Sequence, residues 1–177
     1  MEDNICKFAP TYSADNELSI INFVCEKQHL ITDYRLKAVY TLNLVTKGSG
    51  ILHTPEHSFG LKPGDLFITV PAKRYYVENA ENLEYIYISF IGMRGAELIS
   101  RISFDRKNPV YNGFETLIEF WENNVKTAAA NNIDILAEAV LLYTFSRICF
   151  SVSAEKRKKA ESADKILRIK QYVDSHY

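Results

Sequence analysis

The fold of this chain is decided around residues 59–71, which read Phe59-Gly-Leu-Lys-Pro-Gly-Asp-Leu-Phe-Ile-Thr-Val-Pro71. Pro63 fixes its φ angle near about −65° and Gly64 accepts a positive φ, which is the combination that a type II turn requires. The run Leu66–Val70 is short and rich in the β-branched and aromatic types that are typical of strands. The sequence therefore predicts a turn at residues 62–65 and a strand directly after it.

Similar apolar runs lie on both sides of this turn. They are Leu18–Val24, Val39–Val45 and Tyr85–Ile91. Gly48-Ser49-Gly50 is predicted to supply positive φ angles in a turn between two strands. Strands at roughly 8–12-residue spacing, with no helical crossovers between them, favour an antiparallel sandwich or barrel.

The spacing of apolar residues changes after Gly92 from two to three or four, which is the helical period. We expect a short helix over residues 93–102 and a last strand over 109–111. Longer helices are expected from Gly113 to a break at residues 128–132, and from Ile133 onward. The sequence thus belongs to the α+β class, with its helices after its strands.

The helix that begins at Ile133 is apolar on a broad face as far as Phe150. We expect it to bury one side on its own domain and to offer the other to a second copy through Leu136, Val140 and Tyr143. Packing of both sides within the chain is the open alternative.

The end of the chain is first charged and then amphipathic. Residues 153–163 contain Lys156-Arg-Lys-Lys159 and are interpreted as a linker or as a solvated extension of the preceding helix. Asp164 is placed to cap a new helix, whose apolar stripe has no partner in the sequence that remains. This pattern suggests a further domain after Tyr177.

Composition excludes several functional classes. Lys and Arg number 21 against 22 Asp and Glu, so the net charge of −1 gives no overall attraction to nucleic acid or anionic lipid. No run reaches the roughly 20 consecutive apolar residues of a membrane span, and the acidic start lacks a signal-peptide profile. Three scattered cysteines do not form a disulfide framework. We expect a cytoplasmic protein without membrane contact.

The sequence offers no recognisable catalytic set. It lacks a Gly-rich phosphate loop, a serine nucleophile elbow and a His-Glu-x-x-His motif. His53 and His57 flank Glu56 in a predicted hairpin turn and would offer a metal three ligands, although solvated turn residues are the favoured interpretation. We therefore expect no catalytic residue, no metal and no cofactor.

The interior of the predicted barrel is the more promising site, because a small barrel can hold one small ligand. Tyr85 and Tyr87 are two residues apart and so share one face of a strand. Flat rings with hydroxyl groups suit a sugar or another amphipathic molecule. Tyr75 lies on a nearby strand, and Arg35 precedes a strand and is placed to reach the same mouth. The alternative is that the tyrosines fill the core and the arginine lies on the surface.

Three segments in order resemble the effector-binding domain of AraC-type transcription regulators. They are Tyr40–Gly50 with its Gly-x-Gly turn, Phe59–Pro71 with its Lys-Pro-Gly-Asp turn, and Glu84–Gly92, an aromatic strand that ends in Phe-x-Gly. The resemblance implies a cupin-like antiparallel β-barrel, similar to a jelly roll, followed by a C-terminal helical hairpin.

The resemblance extends over the whole chain and implies five parts. They are an N-terminal arm at 1–17 that folds over the ligand, an effector-binding barrel at 18–112, a helical dimerisation region at 113–152, a linker at 153–163 and the first helix of a truncated helix-turn-helix domain at 164–177. On this interpretation the chain forms a homodimer, senses a small molecule, with a sugar as the leading class, and contacts DNA only through the domain that follows.

The resemblance also bears on single residues. Tyr85 and Tyr87 fall at inward positions that contact sugar in arabinose-responsive members, whereas Val77 stands where those members have a tyrosine, so the effector need not be arabinose. Tyr75 stands where metal-binding cupins carry a histidine, which disfavours a metal role. A sensor without enzymatic activity is expected. The alternatives are a stand-alone carbohydrate-binding cupin and a metal-dependent cupin enzyme, such as a sugar isomerase or dioxygenase.

Overall fold

The computed structural model of the chain describes residues 4–8, 17–27, 33–102, 104–105 and 107–176, without the side chains of 155, 156 and 158–176. Within these residues the elements are, in chain order, β1 (Ile5–Phe8), β2 (Ser19–Glu26), β3 (Arg35–Leu36), β4 (Tyr40–His53), β5 (Ser58–Leu61), β6 (Leu66–Thr69), β7 (Arg74–Ile91), α1 (Met93–Arg101), β8 (Val110–Tyr111), a 3₁₀ turn (Glu115–Leu117), α2 (Ile118–Thr127) and α3 (Ile133–His176).

Every strand pair in the described residues is antiparallel, and the strands form one curved sheet in the order β1-β2-β7-β4-β6-β8. Two short strands extend it, because β3 pairs with β7 and β5 pairs with β4. The long strands β4 and β7, with 14 and 18 residues, run side by side through the whole sheet. The α+β class and the cupin-like antiparallel barrel expected from the sequence are confirmed.

The turn at residues 62–65 has the predicted geometry. Gly64 has a φ of 86°, and the amide of Asp65 donates to the carbonyl of Lys62 over 3.0 Å. The buried Asp65 carboxylate accepts the Lys62 amide at 3.0 Å and the Asn112 side-chain amide at 2.7 Å. A Cβ at Gly64 would lie 2.5 Å from Cγ of Glu115. Glycine is therefore also needed for the start of the helical region to pack closely on this turn.

The glycines at 48 and 50 do not separate two strands, contrary to the sequence expectation. β4 continues through them and stays paired with β7, with register shifts on either side of Lys47. Gly48 has the predicted positive φ of 70°, but the carbonyl oxygens of Glu81 and Asn82 lie 2.2 Å from where a Cβ would stand. Glycine here permits a bulge between two closely approaching strands, and such a bulge bends a sheet without ending it.

The sheet has one face toward the helices and one toward the barrel interior. Leu42, Ile86 and Phe90 belong to the larger apolar core, in which the fully buried Trp121 of α2 packs edge-on against Phe23 at 5.9 Å between ring centroids. The opposite face carries a smaller cluster that contains Val45, Leu52, Leu61, Phe67, Val77, Leu83 and Tyr85. Strand alternation therefore separates the packing face from the face that lines the interior.

The last helix is longer than the sequence analysis predicted. α3 runs as one helix of 44 residues. Of the two interpretations of residues 153–163, the structure shows an extension of the preceding helix and not a linker, and the helix continues through Asp164, which therefore caps no helix. The physical reason is that residues 133–176 contain neither glycine nor proline, so nothing in them ends a helix. The division of the chain into an arm, a barrel, a dimerisation region and a DNA-binding part remains a prediction.

Three residues of α3 were predicted to contact a second copy of the chain. At one of them, α3 packs on its own barrel instead. Val140 is 1% exposed within the chain's own core, so its expected role in dimerisation is wrong. Leu136 is half-buried against the same core, and Tyr143 is 44% exposed. Residues 133–154 are also long and apolar enough to cross a membrane by length and composition alone, although 33% of the most apolar window is buried inside the structure.

Candidate functional site

The barrel interior contains a cavity with an empty volume of about 460 Å³, which includes space open to solvent at its mouth. Its lining residues come from β2, β3, β4, β6 and β7 and from the chain next to β3. They are Glu26, Arg35, Lys37, Asn43, Phe67, Tyr75, Tyr76, Val77, Tyr85 and Tyr87. All four residues predicted from the sequence to contact a ligand, Tyr75, Tyr85, Tyr87 and Arg35, are among them.

Tyr85 and Tyr87 form one wall of the cavity. Because they alternate with core residues along β7, both rings face the interior, and their centroids lie 6.1 Å apart at an angle of 34°. Phe67 of β6 meets Tyr85 edge-on at 5.7 Å. Phe67 and Tyr85 are buried, so the half-buried ring of Tyr87 is the part of this wall that is open to the apolar face of a small ring.

Tyr75 and Arg35 come from neighbouring strands. The two-residue strand β3 pairs with the first part of β7, and this register places Arg35 directly opposite Tyr75. Arg35 is exposed and Tyr75 half-buried. A guanidinium group therefore lies at the mouth of a cavity whose wall is aromatic.

Lys37 is a lining residue that sequence reasoning missed. Its ammonium nitrogen lies 4.8 Å from the ring centroid of Tyr87 and 5.9 Å from that of Tyr75, within the range of a cation–π contact. A signal was present in the sequence, because Lys37 is two residues after Arg35 and in an extended chain would share its face.

Glu26, also missed, is the carboxylate of the lining. It ends β2 opposite Tyr85 in register, and its Oε1 accepts the side-chain amide of Asn4 at 2.6 Å. Burial raises the pKa of Glu26, while the Asn4 hydrogen bond and the charges of Lys37 and Arg35 oppose that rise. The position of Glu26 depends on strand register, which the local sequence does not reveal.

The phenol groups of the wall stay protonated at neutral pH. Burial raises the pKa of Tyr87 to about 12 and that of Tyr85 well above its ordinary value, with a further rise from the charge of Glu26. The wall therefore presents neutral hydroxyls, and the charged groups of the lining are Glu26, Lys37 and Arg35.

A buried polar network lies behind the aromatic wall. The side-chain amide of Asn43 donates to Oγ1 of Thr41 and to the carbonyl of Phe67, each over 2.9 Å, and the hydroxyls of Thr41 and Thr69 are 2.6 Å apart. All these side chains are buried. The network fixes the orientation of Asn43, which is a lining residue of the cavity.

A second cavity of the same empty volume, about 460 Å³, meets the first at Tyr75. Its residues come from β4, the turn between β4 and β5, β6, the loop between β6 and β7, the start of β7 and the segment before β8. They are Leu52, Thr54, Pro55, Glu56, Ile68, Thr69, Val70, Lys73, Arg74, Tyr75, Phe104 and Pro109. Apart from Tyr75 it contains none of the predicted ligand contacts, so the barrel cavity is the better candidate site.

The histidines at 53 and 57 do not come together as a metal site. His53 bonds Glu78 through Nε2 at 2.8 Å and Ser58 through Nδ1 at 2.9 Å, and it stacks on Tyr76 at 4.2 Å. His57 instead closes the turn, where its carbonyl accepts the amide of Thr54. Among the described residues no three His, Cys, Asp or Glu side chains form a group that could hold a metal.

Comparison with known families identifies the domain. The model of the AraC-like ligand-binding domain matches residues 23–142, which is more than half of the chain. The chain belongs to this family. The matched region contains the lining of the barrel cavity, together with α1, α2 and the start of α3. The fold and the family together make this a ligand-binding regulatory domain.

Several solved structures are similar to this AraC-like domain. Apo ToxT from Vibrio cholerae, a lysine-to-alanine variant, has a TM-score of 0.51 at 13% identity over 75% of this chain and 56% of its own. A cupin superfamily protein from Desulfitobacterium hafniense has 0.38 at 15% over 50% and 78%, and YhaK from Escherichia coli has 0.41 at 15% over 51% and 45%. No curated protein matches the sequence.

Proposed function

We propose that this chain is the effector-sensing and dimerisation domain of a transcription regulator, and that a sugar or sugar derivative binds in the barrel cavity. The observation that carries the proposal is the meeting of Tyr75, Tyr85, Tyr87 and Arg35 on one cavity, in a domain whose family is defined by ligand binding. The rings supply apolar surface, while their hydroxyls and the guanidinium supply directional hydrogen bonds.

Binding would act by shifting the population of two states of the domain. A ligand shifts such an equilibrium only by the difference in its affinity for the two states. β1, which lies in the proposed N-terminal arm, offers a way to create that difference, because it pairs with β2 and its neighbour Asn4 bonds the cavity residue Glu26. A ligand that binds Glu26 would compete with its hydrogen bond to Asn4 and so change how strongly the arm is bound to the barrel.

The dimer would form through the exposed side of α3. In the part of α3 whose side chains the structure describes, three large apolar side chains project there, Ile135 with 71%, Tyr143 with 44% and Phe150 with 75% of their surface exposed. At 100° per residue these positions fall within one side of the helix. Exposed apolar groups that share a helix face are typical of a protein interface.

DNA contact would belong to a helix-turn-helix domain that follows this chain, with recognition helices in major grooves. The chain has a net charge of −1, which provides no general attraction to phosphates. We therefore expect no sequence-selective binding of a DNA fragment by this chain in a gel-shift assay. As a cytoplasmic sensor it would carry out no chemical step.

The proposal is tested by titrating the chain with a panel of neutral sugars, sugar acids, sugar phosphates and amino acids in a thermal-shift assay. We expect at least one compound to raise the melting temperature, and Tyr87→Leu to abolish that rise. Met93→Leu, which changes an exposed apolar side chain on α1 outside the cavity lining and the proposed dimer face, is the control and should leave the rise unchanged. If both variants respond like the wild type, the ligand binds outside the barrel.

A further inference from the structure

We infer that the effector carries a carboxylate, so that an acidic sugar of the hexuronate class fits the barrel cavity better than a neutral sugar. The inference rests on the proposed function of the cavity and adds the charge of its ligand. It starts from the three charged groups of the lining, Arg35, Lys37 and Glu26.

The two cations have no carboxylate partner of their own. Neither Arg35 nor Lys37 makes an ion pair within 4 Å with a carboxylate of the described residues. The ammonium group of Lys37 contacts the faces of Tyr87 and Tyr75 instead. Cation–π contacts of this kind hold the charge in place without neutralising it.

The one carboxylate among the described residues of the lining is already engaged. Glu26 accepts a 2.6 Å hydrogen bond from Asn4, and the Asn4 side chain in turn accepts the backbone amide of Lys27 at 2.6 Å. With Glu26 counted as a full negative charge, the described residues of the lining carry two positive charges against one. This part of the lining is therefore positive, and a monoanionic ligand would neutralise it.

The arrangement also fits the shape of an acidic sugar. The guanidinium of Arg35 has the planar pair of donors that matches a carboxylate, and the ammonium of Lys37 lies over the rings of Tyr87 and Tyr75. The pyranose ring would then lie beside the half-buried Tyr87, with its carboxylate directed to the ammonium of Lys37. A neutral sugar would make the ring contacts but would leave the half-buried ammonium of Lys37 without an anionic partner, and would so forgo the free energy of that charge-assisted contact.

The test compares D-galacturonate, D-galactose and D-galactose 1-phosphate by isothermal titration calorimetry on the whole chain. The first two differ only in the group at C6. We expect galacturonate to bind at least tenfold more tightly than galactose, and Lys37→Met to remove most of that preference while keeping a side chain that packs on the rings. Arg35→Gln is a second variant with the same expected direction, in case the methionine variant does not fold.

Lys47→Met is the matched control, because Lys47 is exposed and pairs with Glu84 outside the cavity lining. It should leave both affinities unchanged. Equal binding of galacturonate and galactose would overturn the inference and leave the proposed function standing. Tighter binding of the phosphate, or binding only of uncharged compounds from the wider panel, would also overturn it. If no compound of the panel binds, the proposed function fails together with the inference.

Discussion

Lys37 and Tyr87 meet at the cavity, where the ammonium nitrogen lies 4.8 Å from the centroid of the phenol ring. The two residues are 50 positions apart in sequence and are brought together because β3 pairs with β7. This contact joins the charged side of the cavity to its aromatic wall. It is therefore the point at which binding of an anionic ring would be most sensitive to substitution.

The ring of Tyr87 should matter more than its hydroxyl. Tyr87→Phe keeps the face that contacts Lys37, whereas Tyr87→Leu removes it. Because a cation–π contact is worth about 0.5–2 kcal/mol, we expect the leucine variant to bind galacturonate roughly tenfold more weakly than the phenylalanine variant. Calorimetric titration of the two purified variants measures this difference. Equal losses in both would assign the contribution to the hydroxyl.

The charge of Glu26 should make stability depend on pH. Since burial raises its pKa, the folded protein binds this proton more tightly than the unfolded chain, and the stabilisation is present at acidic pH and lost as the pH rises through the folded-state pKa. Glu26→Gln keeps an acceptor for Asn4 without a charge. Its melting temperature relative to the wild type should therefore increase between about pH 4 and about pH 7.

Glu119→Gln is the control for this measurement, because Glu119 is an exposed carboxylate on α2. Its difference from the wild type should not change in the same direction over the same range. A Glu26→Gln difference that stays constant with pH would show that the cations Arg35 and Lys37 fully offset the burial of the Glu26 carboxylate.

The hydrogen bond between Trp121 and Thr144 should contribute measurably to folding. The indole nitrogen donates to the threonine hydroxyl over 3.0 Å, and both side chains are fully buried. Thr144→Val leaves this donor without a partner, which costs about 1–3 kcal/mol. Urea unfolding followed by circular dichroism measures the loss. Thr144→Ser, which keeps the hydroxyl, should lose less, and a larger loss in the serine variant would contradict the assignment.

The exposed face of α3 should determine the oligomeric state. Ile135→Glu combined with Phe150→Glu places two charges on that face, so we expect the molar mass from light scattering to fall from that of a dimer to that of a monomer. Two charges placed on the exposed positions Thr116 and Lys126 serve as the control and should leave the mass unchanged. A dimer that survives the first pair of substitutions would place the interface on the barrel.

Local patterns predicted the parts of the structure that depend on neighbouring residues. The turn at Pro63 and Gly64 and the shared face of Tyr85 and Tyr87 follow from backbone preferences and strand alternation. The sequence analysis does not identify Lys37 and Glu26 as cavity residues, because strand register places them there and register depends on long-range pairing. The sequence predicts a turn at Gly48, whereas the structure has a β-bulge there. Both need a positive φ, so the glycine alone does not distinguish them.

The helical region shows the same limit. Periodicity identified the broad apolar face of α3 but not which part of that face packs on the barrel. Val140 was therefore predicted to face a second copy of the chain, although it is buried in its own core. The charged residues 156–159 suggested a linker. Lysine and arginine also have high helix propensity, so a charged run is equally compatible with a solvated helix. The alternative interpretation, a solvated extension of the preceding helix, agrees with the absence of glycine and proline in that region.

The central claim is that a small molecule binds among the tyrosines of the barrel, and aromatic carbon-13 NMR of tyrosine-labelled protein tests it most directly. Addition of D-galacturonate should shift the ring resonances of Tyr75, Tyr85 and Tyr87 and leave those of Tyr143 on α3 unchanged. Saturable shifts confined to Tyr143, or no shift of the three barrel tyrosines with any compound of the panel, would contradict it.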